Sequence, residues 1–152
     1  MSQIEDPVQE AIIREFAQFS DWMDRYEYLI SLADEVPSMD PAHRTGQYLI
    51  EGCQSRVWID ARMEDGKLYF TADSDAIITK GLVALLIRVY SGRTPREALD
   101  TEPYFVEKIG LRDNLSPTRA NGLAAMLRQI RMFALAYEMS DSASRSQNPP
   151  QK

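Results

Sequence analysis

The chain predicts an α+β domain in which helices surround a small antiparallel sheet. Three observations predict it. Apolar residues recur at helical spacing towards both ends of the chain, as in Val8, Ile12, Phe16 and in Leu123, Met126, Leu127, Ile130. Strict alternation is confined to the middle, on either side of an Asp65-Gly66 turn signal. Helix-starting signals recur at Asp73-Ser74-Asp75, Thr94-Pro95 and Ser116-Pro117, so helices flank the alternating stretch.

Each element has a local cause. Residues 7 to 19 place Val8, Ile12, Phe16 and Phe19 on one side of a helix. A second helix starts near Asp21, with Trp22, Tyr26, Leu29, Ile30 and Ala33 at helical spacing, and Pro37 ends it. Two prolines and Gly46 make residues 37 to 46 a loop. Tyr48-Leu49-Ile50 reads as a short strand. Val57 to Met63 alternates, with Val57, Ile59, Ala61 and Met63 on one face. The return strand, Lys67 to Ala72, presents Leu68, Phe70 and Ala72. The loop carrying the single cysteine therefore falls between the first two strands.

The helix predicted over residues 76 to 90 is apolar on nearly all sides and so belongs in the centre. Gly81 inside it costs about 1 kcal/mol against alanine, which points to close packing on a neighbour. Thr94-Pro95-Arg96-Glu97 fits a capping box with proline at the first helical position. The last helix opens at Ser116-Pro117 and carries a stripe from Leu123 to Tyr137. From Ser140 the chain turns to Ser, Gln, Asn, Pro and Lys, the composition of a disordered tail. The organisation predicted is one domain over residues 1–139 and a tail over 140–152.

Composition excludes several functions. With 152 residues, 44% hydrophobic and 26% charged, the chain reads as an ordinary soluble domain. A net charge of -6 argues against a phosphate-backbone footprint, so no nucleic-acid partner is expected. The longest apolar run, Gly81 to Ile87, is too short to span a bilayer, and no membrane association is expected. The acidic, amphipathic start lacks the form of a secretory signal, and one cysteine fits a reducing compartment. The expected location is the cytoplasm.

Cys53 is the only cysteine, and little else in the chain can do covalent chemistry. An arbitrary free cysteine is often an inert core residue. Three features favour reactivity instead. Gly52 precedes it and permits close backbone approach, the polar Gln54 and Ser55 follow it, and the preceding loop is surface-like. The nucleophile would be the thiolate, favoured by nearby cations, and Arg44, Arg56 and Arg119 are the available ones. His43 and Cys53 also form a possible nucleophilic pair, set against a plain solvated loop histidine. One Cys and one His fall short of a tetrahedral metal site. Asp73 and Asp75 pass for catalytic carboxylates, with helix capping as the simpler reading.

Four motifs occur in order: Asp21-Trp22-Met23-Asp24-Arg25-Tyr26; Gly52-Cys53-Gln54-Ser55-Arg56-Val57-Trp58; Asp73 to Leu82; and Leu115 to Leu123. Together they resemble the SufE/CsdE family of sulfur-acceptor proteins over roughly residues 8 to 138. The chain departs from the family pattern at Tyr48, where an asparagine is usual. The resemblance implies a SufE/IscU-like α+β fold and a sulfur relay. A SufS/CsdA-like cysteine desulfurase, which uses pyridoxal phosphate, would form a persulfide on its own thiol. Cys53 would accept that sulfur, stimulate the desulfurase and pass the sulfur to a SufBCD-like Fe–S scaffold. No cofactor of the chain's own is implied.

The resemblance also places Asp75 and Arg119 near the cysteine segment, beside Gly52, Gln54 and Ser55, in positioning or docking roles. The Cys53 side chain is expected to tuck against apolar neighbours and swing out on docking, because an exposed thiolate oxidises readily. Two other readings stand beside the relay: a stand-alone thiol enzyme using Cys53 with His43, and a regulator that binds a desulfurase without sulfur transfer.

Overall fold

A computed structural model describes residues 6–37, 39–46, 49–50 and 56–147, with side chains to residue 140. The fold is α+β. Helices α1 (Pro7–Ala17) and α2 (Trp22–Ser31) come first, and a 3-10 turn, Leu32–Glu35, follows α2. A second 3-10 turn, Pro41–His43, lies within the loop predicted over residues 37 to 46. Strands β1 (Val57–Glu64) and β2 (Lys67–Ser74) form an antiparallel hairpin. The central helix α3 (Ile77–Tyr90) follows. The short helices α4 (Pro95–Asp100), α5 (Phe105–Lys108) and α6 (Leu111–Asn114) lead to the long α7 (Pro117–Gln147).

The hairpin register follows from its turn. Asp65 and Gly66 have φ of 53° and 78°, the left-handed pair that matches the twist of two-residue hairpins. Glu64 then faces Lys67, and the pairing runs to Val57 opposite Ser74. Ile59, Ala61, Leu68, Phe70 and Ala72 consequently share one buried face. The opposite face carries Trp58, Asp60 and Arg62 from β1 and Tyr69, Thr71 and Asp73 from β2.

β2 has no free edge along its centre. The Ala72 N–H donates to the Pro37 carbonyl (3.3 Å), and Phe70 N–H to the Ser91 hydroxyl (2.9 Å). Leu68 donates to the Arg93 carbonyl and accepts from Gly92 N–H, both at 2.7 Å. Backbone groups that would otherwise template aggregation are thus paired within the chain.

The core lies between the inner sheet face and α3, closed by α1, α2, α5 and α7. Phe16, Leu29, Phe70, Leu82, Leu86, Tyr90, Phe105, Met126 and Ile130 are essentially inaccessible. Each such side chain contributes about 1.5–3 kcal/mol by leaving water. Gly81 answers the expectation of close packing. A Cβ there would lie 2.2 Å from the Leu29 carbonyl oxygen, so the α2 backbone occupies the space. The capping box at Thr94 is complete, with Glu97 N–H on the Thr94 hydroxyl (3.1 Å) and Thr94 N–H on the Glu97 carboxylate (2.8 Å).

Charged groups tie the helices together. Glu15 of α1 accepts a two-pronged contact from Arg88 of α3 and a hydrogen bond from the Tyr28 hydroxyl. The Arg88 guanidinium holds the Glu15 carboxyl below its usual range. Asp6 caps α1 through Val8 N–H and also pairs with Arg93.

Two expectations change. Among the described residues the sheet has two strands, and the segment predicted as a first strand contributes a single bridge, Leu49 to Trp58. Residues 47 and 48 lie outside the described residues. At the other end, α7 continues to Gln147, past Ser140, where the sequence places the start of a tail. Once a helix is nucleated, each further residue needs only one more backbone bond, which suits even a polar continuation.

Candidate functional site

Cys53 and its neighbours Gly52, Gln54 and Ser55 lie outside the described residues, as does Tyr48. The expected tucked position of the thiol falls there too. The structure does define the framework that holds both ends of that segment. On its N-terminal side, Leu49 bridges Trp58 of β1, and the Ile50 N–H donates to the Val57 carbonyl at 2.8 Å. Ile50 is buried while Leu49 is exposed.

On its C-terminal side, three hydrogen bonds hold the backbone of Arg56. Its N–H donates to Asp75 Oδ1 (3.0 Å). Its carbonyl accepts from the Asp75 N–H (3.2 Å) and from the Ser74 hydroxyl (2.8 Å). Asp75 therefore fixes Arg56, the residue that follows the cysteine segment. This corrects the capping reading of Asp73-Ser74-Asp75. Helix α3 starts after Ala76 with no side-chain cap, because both carboxylates are committed elsewhere. Asp75 takes Arg56, and Asp73 takes the cations of Arg44 and Lys80 (3.2 and 3.6 Å).

The loop before the segment lies across the polar face of the sheet. His43 Nδ1 meets Asp60 Oδ2 at 2.7 Å, so the solvated loop histidine of the sequence reading is replaced by a half-buried, carboxylate-bound one. Arg44 pairs with Asp73 and stacks over the Trp58 ring, 4.9 Å from its centroid. Of the three cations proposed to favour a thiolate, Arg44 is thus already balanced by a carboxylate. Arg56 is exposed beside the segment. Arg119 is exposed in the first turn of α7, where its N–H donates to the Ser116 hydroxyl (3.3 Å). Among the described residues, no hydrogen bond or ion pair joins the Arg119 side chain to this cluster.

The sequence reading overlooked Asp60 and the role of Asp73 as an anchor. A signal existed: the hairpin turn fixes the register, and the register puts both aspartates with Trp58 on the polar face. What the turn could not show is that residues 43 and 44 fold back onto that face. Among the described residues, no group of three metal-binding side chains comes together, and no helix is long and apolar enough to cross a membrane.

Comparison with known proteins agrees with this fold. Residues 10–134 match a family model described as SufE, an Fe-S metabolism associated domain. The solution structure of a hypothetical protein from Thermus thermophilus is similar, with a TM-score of 0.72 and 23% identity. The similarity covers 88% of this chain and 97% of that one. At that identity it speaks for the fold alone.

Proposed function

Because the chain belongs to the SufE family of proteins associated with Fe–S metabolism, we propose that it is a cytoplasmic sulfur carrier whose acceptor is Cys53. The observation that supports this reading is that the residues flanking the only cysteine in the sequence are fixed on the hairpin. Cys53 sits in a five-residue segment whose flanking residues are fixed on both sides, by Leu49 and Ile50 on β1 and by Arg56 on Asp75 and Ser74. Flanking residues so fixed give a nucleophile between them a rigid base from which to meet a partner.

The chemistry is thiol–persulfide exchange. The Cys53 thiolate attacks the terminal sulfur of a persulfide on a SufS/CsdA-like desulfurase. A new S–S bond forms at Cys53, the donor's S–S bond breaks, and the donor cysteine leaves as a thiolate. No external oxidant or reductant is consumed. The desulfurase's own pyridoxal phosphate releases the sulfur from free cysteine. Transfer onward to a SufBCD-like scaffold repeats the exchange. With one cysteine, the chain carries sulfur but does not supply the several thiolates of a conventional cluster site.

The test is direct. The protein is incubated with a desulfurase, pyridoxal phosphate and cysteine, and its mass is then measured. One added sulfur that maps to Cys53 is expected, and Cys53→Ser should take none. No adduct under conditions where the desulfurase turns over would refute the relay. The Asp60-bound imidazole gives the stand-alone thiol enzyme one specific observation, a base held by a carboxylate. His43→Ala separates the two, since the relay still loads Cys53, slowed no more than by loss of the Asp60 contact, whereas a Cys-His enzyme loses its activity. A purely non-covalent regulator would still stimulate the desulfurase as Cys53→Ser.

A further inference from the structure

We propose that Asp60 and Asp73 are positioning residues: they strap residues 40–44 across the polar face of the hairpin and so fix the N-terminal approach to the cysteine segment. This rests on the sulfur-carrier reading for its functional consequence, though not for its structural one.

The two aspartates are used in the same way. Each turns Oδ1 to the next backbone N–H on its own strand, Asp60 to Ala61 and Asp73 to Ser74, both at 2.8 Å. That bond fixes the carboxylate plane. Each then offers Oδ2 to the strap, Asp60 to His43 (2.7 Å) and Asp73 to Arg44 (3.2 Å). Consecutive strap residues are therefore received by two pre-oriented carboxylates on adjacent strands. Register puts Asp73 opposite Trp58, two residues from Asp60, so the receptors lie diagonal to one another. A third carboxylate, Asp40, holds the start of the strap through Ala42 N–H (3.0 Å).

Trp58 joins the strap to the segment. Its ring lies under the Arg44 guanidinium, and its backbone is the bridge partner of Leu49. The same residue thus receives the chain before and after residues 45–48. With Arg44 held, only four residues of sequence separate the strap from Leu49, and a shorter connection lowers the entropy lost when Leu49 and Ile50 pair with β1. The pairs are partly exposed, with side-chain exposures of 41% for His43 and 45% for Arg44. Such pairs are individually weak, so the strap is held by their combination with the Arg44–Trp58 stacking.

The test uses Asp60→Asn, Asp73→Asn and the double variant of the full chain. Hydrogen exchange is read at the Ile50 amide, which donates to Val57, and at Leu86 in buried α3 as an internal reference. Each substitution should raise Ile50 exchange about fivefold, and the pair together more, with Leu86 unchanged. The rate constant of sulfur loading on Cys53 should fall by a similar factor. Alkylation by iodoacetamide, a small reagent that needs no docked geometry, should not slow. Asp73→Glu, which keeps the charge, should recover part of the loading rate.

Unchanged Ile50 exchange in the double variant would overturn the proposal, as would Ile50 and Leu86 rising together, which is global destabilisation. If the wild-type chain takes no sulfur, the carrier reading fails. The Ile50 exchange then decides the positioning role by itself.

Discussion

Gly81→Ala tests the packing on which the whole fold is built. A Cβ at this position would lie 2.2 Å from the Leu29 carbonyl oxygen and 3.0 Å from its carbonyl carbon. Both are backbone atoms, so no side-chain rotation relieves the clash. The third contact, Leu29 Cγ at 3.2 Å, belongs to a fully buried residue that cannot swing to solvent. Ordinary contact near ~3.5 Å requires α2 and α3 to part by roughly 1 Å. Overpacking of a dense core costs about 1–3 kcal/mol, and rigid backbone puts this case at the upper end. Alanine regains about 1 kcal/mol of helix propensity. The net loss is about 2 kcal/mol, a Tm lower by roughly 4–8 °C in a domain of this length.

Circular dichroism of thermal and urea unfolding measures it, with the urea slope unchanged so that only the midpoint moves. Gly46→Ala is the control. Nothing lies within 4 Å of a Cβ there, and it should be neutral or stabilise by up to about 1 kcal/mol. A Gly81→Ala protein as stable as wild type would refute the reasoning. It would mean that the α2–α3 approach is looser than the geometry states.

Three further predictions concern the ties between elements. Glu15 is held below its usual pKa first by the Arg88 hydrogen bonds, so its stabilisation is present above the unfolded carboxylate pKa of about 4.3 and is lost as pH falls through the folded value. Urea midpoints should therefore separate wild type from Glu15→Gln at pH 7 and draw together as the pH is lowered through the folded value; a constant gap would contradict this assignment. Thr94→Ala removes one half of the capping box and should cost about 1 kcal/mol in urea unfolding, recovered largely by Thr94→Ser. The Tyr137 hydroxyl donates to the Ala61 carbonyl at 3.1 Å and ties α7 to β1. Tyr137→Phe should cost about 1 kcal/mol, and a loss below a few tenths would show that bond to be incidental.

How much of this was legible depended on how far apart the interacting residues are in the chain. The Asp65-Gly66 turn specified the hairpin and its register because turn conformation is a local property. The 76–90 helix was recognised as central from its apolar surface, and Gly81 as a contact point from its position within it. The Thr94 box needed only four residues. The capping reading of Asp73-Ser74-Asp75 failed for a non-local reason: Arg56, 19 residues from Asp75, and Arg44 claimed the carboxylates first. Helices α5 and α6 are too short to show periodicity, and went unread.

The sequence by itself determined the α+β class, the hairpin, the central helix and the family, since each rests on short-range patterns or on ordered motifs. It also singled out Cys53, because a count of one needs no structure. The tertiary structure alone decided how the cysteine segment is held. The strap over Trp58, the carboxylates of Asp60 and Asp73 that receive it, and the clamp of Asp75 on Arg56 join residues distant in the chain. Their physical cause is the folding of one polar sheet face against a loop whose composition announces only that it is a loop.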